Sequence, residues 1–185
     1  MALLAIQFFA PSRDLGNDQT AVGHSLPDLR LEPLTGDGRP VRLNDLTGKV
    51  VLLDFWGPWC GPCRAELPHI AALADKYRNR ADFKLLAVSC GEGGDDGPSL
   101  RHDTETFLQD GNLEIATYSD TEGYTRREAS MVGGFEGAFP TTLVLDRQGV
   151  IRGKWLGYEP GVERRIGELV AKLLAESPPK KDSPL

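Results

Sequence analysis

Cysteine is scarce in this chain, with three among 185 residues. That is too few for the stapled framework of a small secreted domain. The placement, with Cys60 and Cys63 close together and Cys90 well apart, suits a working pair better than a scaffold. No basic block stands out either: 21 Lys and Arg face 27 Asp and Glu, for a net charge of -6. That balance argues against nucleic acid as the main partner. No apolar run reaches the roughly 20 residues that span a bilayer. The start, "MALLAIQFFAP", holds about nine apolar residues with no Lys or Arg before them, and Pro11 follows Ala10 where a signal cleavage site would lie. It is a poor signal peptide, which leaves open a trimmed anchor, an expression artefact or a packed N-terminal segment. His24, His69 and His102 show no second paired spacing of the kind a structural zinc site uses, and they read as surface residues. There is no internal repeat and no low-complexity block beyond the closing "ESPPKKDSPL".

Apolar residues make up 40% and charged residues 26%, as in an ordinary soluble globular protein. The length suits one domain with decorated ends. We read residues 1–22 as an N-terminal extension serving as anchor remnant or linker, 23–176 as the folded domain, and 177–185 as a disordered, solvated tail. "DLRLEPL", the turn residues Thr35 to Gly38 and "RPVRL" suggest a hairpin. "KVVLLDFW" is a continuous apolar run expected of a central strand covered on both faces. Cys60 to Arg80 reads as a helix with Ala65, Ile70, Ala71, Leu73, Ala74 and Tyr77 on its apolar side. Pro68 is expected to kink it. "FKLLAVSC" follows as a second buried strand, so strand, helix and strand form a parallel crossover unit and the centre is α/β. Gly91 to Ser99 is a loop by composition. "LRHDTETFLQD" is a helix, "EIATYSD" a strand and Tyr124 to Val132 a short helix. "TTLVLD" and "VIRGKWLGY" form a hairpin, and Val162, Ile166, Leu169, Val170, Leu173 and Leu174 mark a closing helix.

Cys60 and Cys63 lie where a buried strand runs into a helix. Unpaired backbone N–H groups and the helix dipole there can lower a cysteine pKa from about 8.5 toward about 7 or below, making Cys60 a nucleophile. Cys63, one turn on, faces the same way and can resolve a mixed disulfide formed at Cys60. Pro62 is tolerated because the first turn has spare N–H groups. Two other readings stay open. A structural disulfide over three residues closes a tiny loop and stabilises little. A zinc site needs two further ligands.

"DFWGPWCGPCRAELP" resembles the active-site segment of the thioredoxin superfamily. Together with the N-terminal hairpin, the longer insertion after the second core strand and "FPTTLVLDRQGVI", the chain from roughly Gly23 to Leu174 is similar to the TlpA/ResA/CcmG-type thiol-disulfide oxidoreductases. The resemblance implies an α/β, thioredoxin-like fold: a central mixed sheet flanked by helices, with an extra N-terminal hairpin. It implies a redox-active disulfide between Cys60 and Cys63, and it matches Asp54 to the family's buried acidic residue. In an apolar strand, between Leu53 and Phe55, that carboxyl should have a raised pKa and exchange protons with Cys63; the alternative is a strand-end aspartate facing water. Glu66, three after Cys63, returns to the same helical face and matches a glutamate held to adjust cysteine acidity; the alternative is an exposed helical glutamate. The likeness also implies that Trp59, Gly61, Pro62, Phe139 and Pro140 form the substrate-docking surface, with a cis bond before Pro140 against an ordinary trans proline. Trp56 reads as core and Arg64 as solvated. Cys90 is a small buried filler or a second redox residue.

The implied activity is reduction of protein disulfides, with no cofactor and no metal. The partners are protein thiols and disulfides and an upstream electron donor, not nucleic acid. The likeness implies a monomer, extracytoplasmic or periplasmic and membrane-tethered at full length, against a cytoplasmic alternative. Two competing functions are a thiol peroxidase of the same superfamily, whose Thr-x-x-Cys setting is not met because Gly57 stands three before Cys60, and a binding module with idle or zinc-bound cysteines.

Overall fold

The apolar run Val50–Trp56 forms a strand buried at every position, inside a seven-stranded sheet. The computed structural model describes residues 20–94 and 97–177. In chain order the strands are β1 (Arg30–Thr35), β2 (Val41–Arg42), β3 (Val50–Trp56), β4 (Phe83–Ser89), β5 (Thr117–Ser119), β6 (Thr141–Leu145) and β7 (Ile151–Leu156). The helices are α1 (Gly61–Asp75), α2 (Ser99–Asp110), α3 (Tyr124–Ser130) and α4 (Val162–Ala175). Across the sheet the order is β2-β1-β5-β4-β3-β6-β7. β3, β4 and β5 run parallel to their neighbours in that group, and the remaining pairs are antiparallel. This is the mixed sheet flanked by helices that the sequence led us to expect. The hairpin is also present: β1 pairs β2 at Arg30 with Arg42 and at Leu31 with Val41, and β1 extends the sheet by pairing β5.

Because side chains alternate along a strand, β3 feeds two cores. Val51, Leu53 and Phe55 meet Leu86, Val88, Leu143 and Leu145 on one face. Val50 and Leu52 meet Ile70 and Leu73 of α1 and Ile166, Val170 and Leu173 of α4 on the other. Trp56 continues that second face into a smaller cluster with Cys60, Cys63 and Leu67. Asp54 therefore points to the side where α1 begins.

Three readings are corrected. The helix after the cysteines ends at Asp75 rather than Arg80. Beyond it Tyr77, Arg78 and Arg80 bond the carbonyls three residues back, a tighter winding suited to a stretch with little left to bury. Pro68 lies within the span of α1. Its inner face is Cys63, Glu66, Leu67, Ile70, Leu73 and Ala74, whereas Ala65 is exposed; the helical period selects position 66 over 65 regardless of charge. The "EIATYSD" strand shortens to Thr117–Ser119. Residues 1–19 of the N-terminal extension, 178–185 of the tail, and 95–96 of the loop between Gly91 and Ser99 lie outside the described residues.

Candidate active site

β3 ends at Trp56, and a short turn carries the chain into α1, with Cys60 as the N-cap in extended conformation. The Cys63 backbone N–H donates to Cys60 Sγ at 3.3 Å, so one of the helix's spare donors is aimed at this sulfur. Pro62 occupies the first turn, where a missing N–H costs nothing. Cys60 and Cys63 are joined by a disulfide of 2.08 Å. Cys60 is 4% exposed and Cys63 is fully covered, while Gly61 and Pro62 between them are exposed.

Trp59, immediately before Cys60 in the chain, is 42% exposed. Its Nε1–H donates to the carbonyl of Cys90 at 2.9 Å. The indole takes that course across Gly57, where an added Cβ would lie 2.5 Å from Trp59 Nε1 and 2.7 Å from the Cys90 oxygen. Only glycine leaves room there. The Trp59 ring meets Phe139 edge-on at 5.5 Å, and Phe139 precedes Pro140 through a cis bond, as expected. Behind Phe139, Phe135 and then Phe55 continue the aromatic row into the core at 5.4 and 5.2 Å.

Asp54 and Glu66 are both interior, 0% and 1% exposed. This rules out the water-facing aspartate and the exposed helical glutamate. The Thr142 hydroxyl donates to Asp54 Oδ1 at 3.2 Å, while among the described residues Asp54 Oδ2 and both Glu66 oxygens have no hydrogen-bond partner within bonding distance. Desolvation pushes Asp54 up to about 7, partly offset by Thr142. Desolvation, followed by the charge of Asp54, pushes Glu66 up to about 9. Two carboxyls in one low-dielectric space cannot readily both ionise. At neutral pH Glu66 holds its proton, and Asp54 is poised to take or release one.

Trp56 is core, its ring 5.5 Å from Phe107. Arg64 is exposed, its guanidinium 5.4 Å above the Phe107 ring. His24, His69 and His102 are exposed, and among the described residues no group of three or more His, Cys, Asp or Glu is placed to hold a metal ion. Cys90 is buried, its Sγ 3.6 Å from the Val88 carbonyl. Beside Trp59 and Arg64 a cavity of about 600 Å³ opens toward α2, lined also by His102, Asp103 and Phe107.

Sequence reasoning missed three contributors. Thr142 is the β6 partner of Asp54 in strict register, and only that pairing reveals it. In the sequence Gly57 signals only that threonine is missing three before Cys60. The Cys90 contribution is a backbone carbonyl, for which a side-chain motif carries no signal.

An N-capping sulfur, a resolving sulfur one turn on and two buried proton-holding carboxyls are equipped for thiol-disulfide exchange. The comparisons agree. The model of the AhpC/TSA family matches residues 22–154. The thiol-disulfide oxidoreductase ResA of Geobacillus thermodenitrificans is 34% identical over 132 residues, covering 71% of this chain and 67% of that one. The thioredoxin-like protein YneN of Bacillus subtilis is 31% identical over 130 residues, covering 70% and 68%. Among solved structures, a Chlorobium tepidum protein assigned as the thiol:disulfide interchange protein DsbE superposes with a TM-score of 0.66 at 28% identity, covering 83% of this chain and 98% of its own. Sequence and fold together make the chain a member of the AhpC/TSA family, and within that family its relatives are thiol-disulfide oxidoreductases of the ResA type.

Proposed function

We propose that the protein reduces disulfides of partner proteins. The observation that carries this reading is the Cys63 N–H directed at Cys60 Sγ, a donor that favours thiolate at Cys60 once the pair is reduced. Cys60 thiolate attacks a partner disulfide, forming a mixed disulfide and expelling one partner thiolate. Cys63 gives its proton to Asp54, attacks Cys60 Sγ and expels the second. The partner has then gained two electrons and the chain has lost two, and an upstream dithiol restores Cys60 and Cys63 by the same exchange in reverse. Glu66, protonated at neutral pH, keeps a second negative charge away from the sulfurs until the medium is alkaline.

Trp59, Gly61, Pro62, Phe139 and Pro140 serve as the docking surface, along which an extended partner segment pairs as an added strand. The reducing direction rests on the likeness of the C-G-P-C pair to that of thioredoxin, which lies near -270 mV, against about -120 mV for a strong oxidant. Gly57 weighs against the peroxidase alternative, since a threonine side chain there would occupy the space of the Trp59 nitrogen. Residues 23–176 are the working domain. The domain acts as a monomer outside the cytoplasm; among the described residues no helix is long and apolar enough to cross a membrane.

The test is a trap. Cys63→Ser, reduced and mixed with a disulfide-bonded protein, should accumulate a covalent adduct released by dithiothreitol, and Cys60→Ser should accumulate none. Equal adduct from both variants, or from neither, overturns the exchange order. A measured potential near the oxidising end overturns the direction.

A further inference from the structure

A fully buried lysine lies beneath the loop that carries Phe139 and Pro140. Lys154 belongs to β7, and its side chain is 0% exposed. Register places it on the opposite sheet face from the carboxyls: Asp54 opposes Thr142, Thr142 opposes Trp155, and Lys154 adjoins Trp155 and opposes Leu143. The Lys154 ammonium is thus separate from the proton chemistry at Asp54. It reaches the loop instead. Nζ donates to the carbonyl of Gly133 at 2.6 Å and to Glu136 Oε1 in a short ion pair. Glu136 is half exposed and stands three residues before Phe139.

An ammonium taken out of water is costly unless it is matched by an opposite charge and further acceptors. In meeting that need, Lys154 fixes two points of the Gly133 to Ala138 segment relative to the sheet. Downstream the same segment is fastened by the Thr141 hydroxyl, which donates to the Ala138 carbonyl at 2.7 Å. Gly157 N–H does the same for the Pro140 carbonyl at 2.8 Å. Between these fastenings Phe135 is buried and meets both Phe55 and Phe139. The loop is held from below by the Lys154 contacts to Gly133 and Glu136 and from beyond by the hydrogen bonds to Ala138 and Pro140, with Phe139 between them.

We propose that Lys154 and Glu136 act together as positioning residues for partner docking, setting the height of the Phe139 backbone beside the disulfide. The inference rests on the docking surface proposed above. Neither residue touches the reacting sulfurs, so their loss weakens capture of a protein substrate and leaves the exchange step intact.

The experiment uses single turnovers of the reduced full chain with excess insulin, in which an insulin disulfide is reduced as the Cys60–Cys63 dithiol is oxidised. Glu136→Gln keeps the shape of a surface side chain and is expected to fold. It should raise the half-saturating insulin concentration about 3- to 10-fold with the limiting rate within twofold. Lys154→Met, which fills the buried slot without charge, should do the same. The double variant should be no worse than either single, because the two act as a unit. Reduction of the small disulfide dithionitrobenzoate should be unchanged throughout. Half-saturation within twofold of the parent in Glu136→Gln overturns the proposal, as does a matching loss toward the small disulfide. If the parent itself reduces no protein disulfide, the functional reading has failed, and that result is distinguishable from a failure of the positioning role.

Discussion

The side-chain nitrogen of Trp59 is bonded to the backbone carbonyl of Cys90, 2.9 Å away, across the bare face of Gly57. Through this bond the end of β4 holds the indole beside the disulfide, although thirty-one residues separate the two.

Gly57→Ala should therefore displace Trp59. The methyl group cannot coexist with the present indole position, and overpacking of this kind costs about 1–3 kcal/mol. Insulin reduction should fall about tenfold and the tryptophan emission spectrum should shift, whereas a parent-like spectrum and rate would show that the indole position is unimportant.

Cys90→Ala keeps the carbonyl that Trp59 uses. Exchange with a disulfide substrate should stay within twofold of the parent, with a stability loss of about 1 kcal/mol from the smaller buried side chain. A large loss of turnover would make Cys90 a redox participant.

Asp54 and Glu66 bind a proton more tightly folded than unfolded, so they favour the folded state at low pH. That advantage is lost as pH rises from about 4 through about 7 for Asp54 and about 9 for Glu66. Asp54→Asn and Glu66→Gln should each gain on the parent as pH rises, by on the order of 1–3 kcal/mol at alkaline pH. Denaturant midpoints at pH 5, 7 and 9 check this, and parallel curves for variant and parent would contradict it.

If Asp54 takes the Cys63 proton, resolution of a mixed disulfide at Cys60 should accelerate with pH through about 7. Asp54→Asn should abolish that inflection and slow resolution about tenfold at pH 7. Stopped-flow release of the second thionitrobenzoate measures the step directly.

Thr142→Val removes the hydroxyl that donates to Asp54 and offsets part of its upward shift. The same inflection should then move to higher pH. An inflection left in place would mean that Thr142 does not influence the carboxyl.

The fold was legible wherever apolar runs were long. "KVVLLDFW" and "FKLLAVSC" became β3 and β4 almost residue for residue, because continuous burial leaves little freedom in the boundaries. "EIATYSD" keeps only three strand residues, since only Thr117, Tyr118 and Ser119 of that stretch pair with β4 and β1. At the site, the cysteine pair and the cis bond before Pro140 followed from the motif. The burial of Glu66 is not legible, because a glutamate at a core-facing helical position looks the same in sequence as one on the wet side. The Lys154 contacts were invisible, as they depend on a loop folding back over β7.

The aromatic row from Trp59 through Phe139 and Phe135 to Phe55 joins the outermost ring of the site to the sheet interior. A substitution at Trp59 therefore removes a packing partner of Phe139, whose inner neighbour Phe135 is buried against Phe55. New partner preferences are easier to acquire at neighbours outside the row: Arg64 at the start of α1 and Ala138 on the loop, both exposed to solvent.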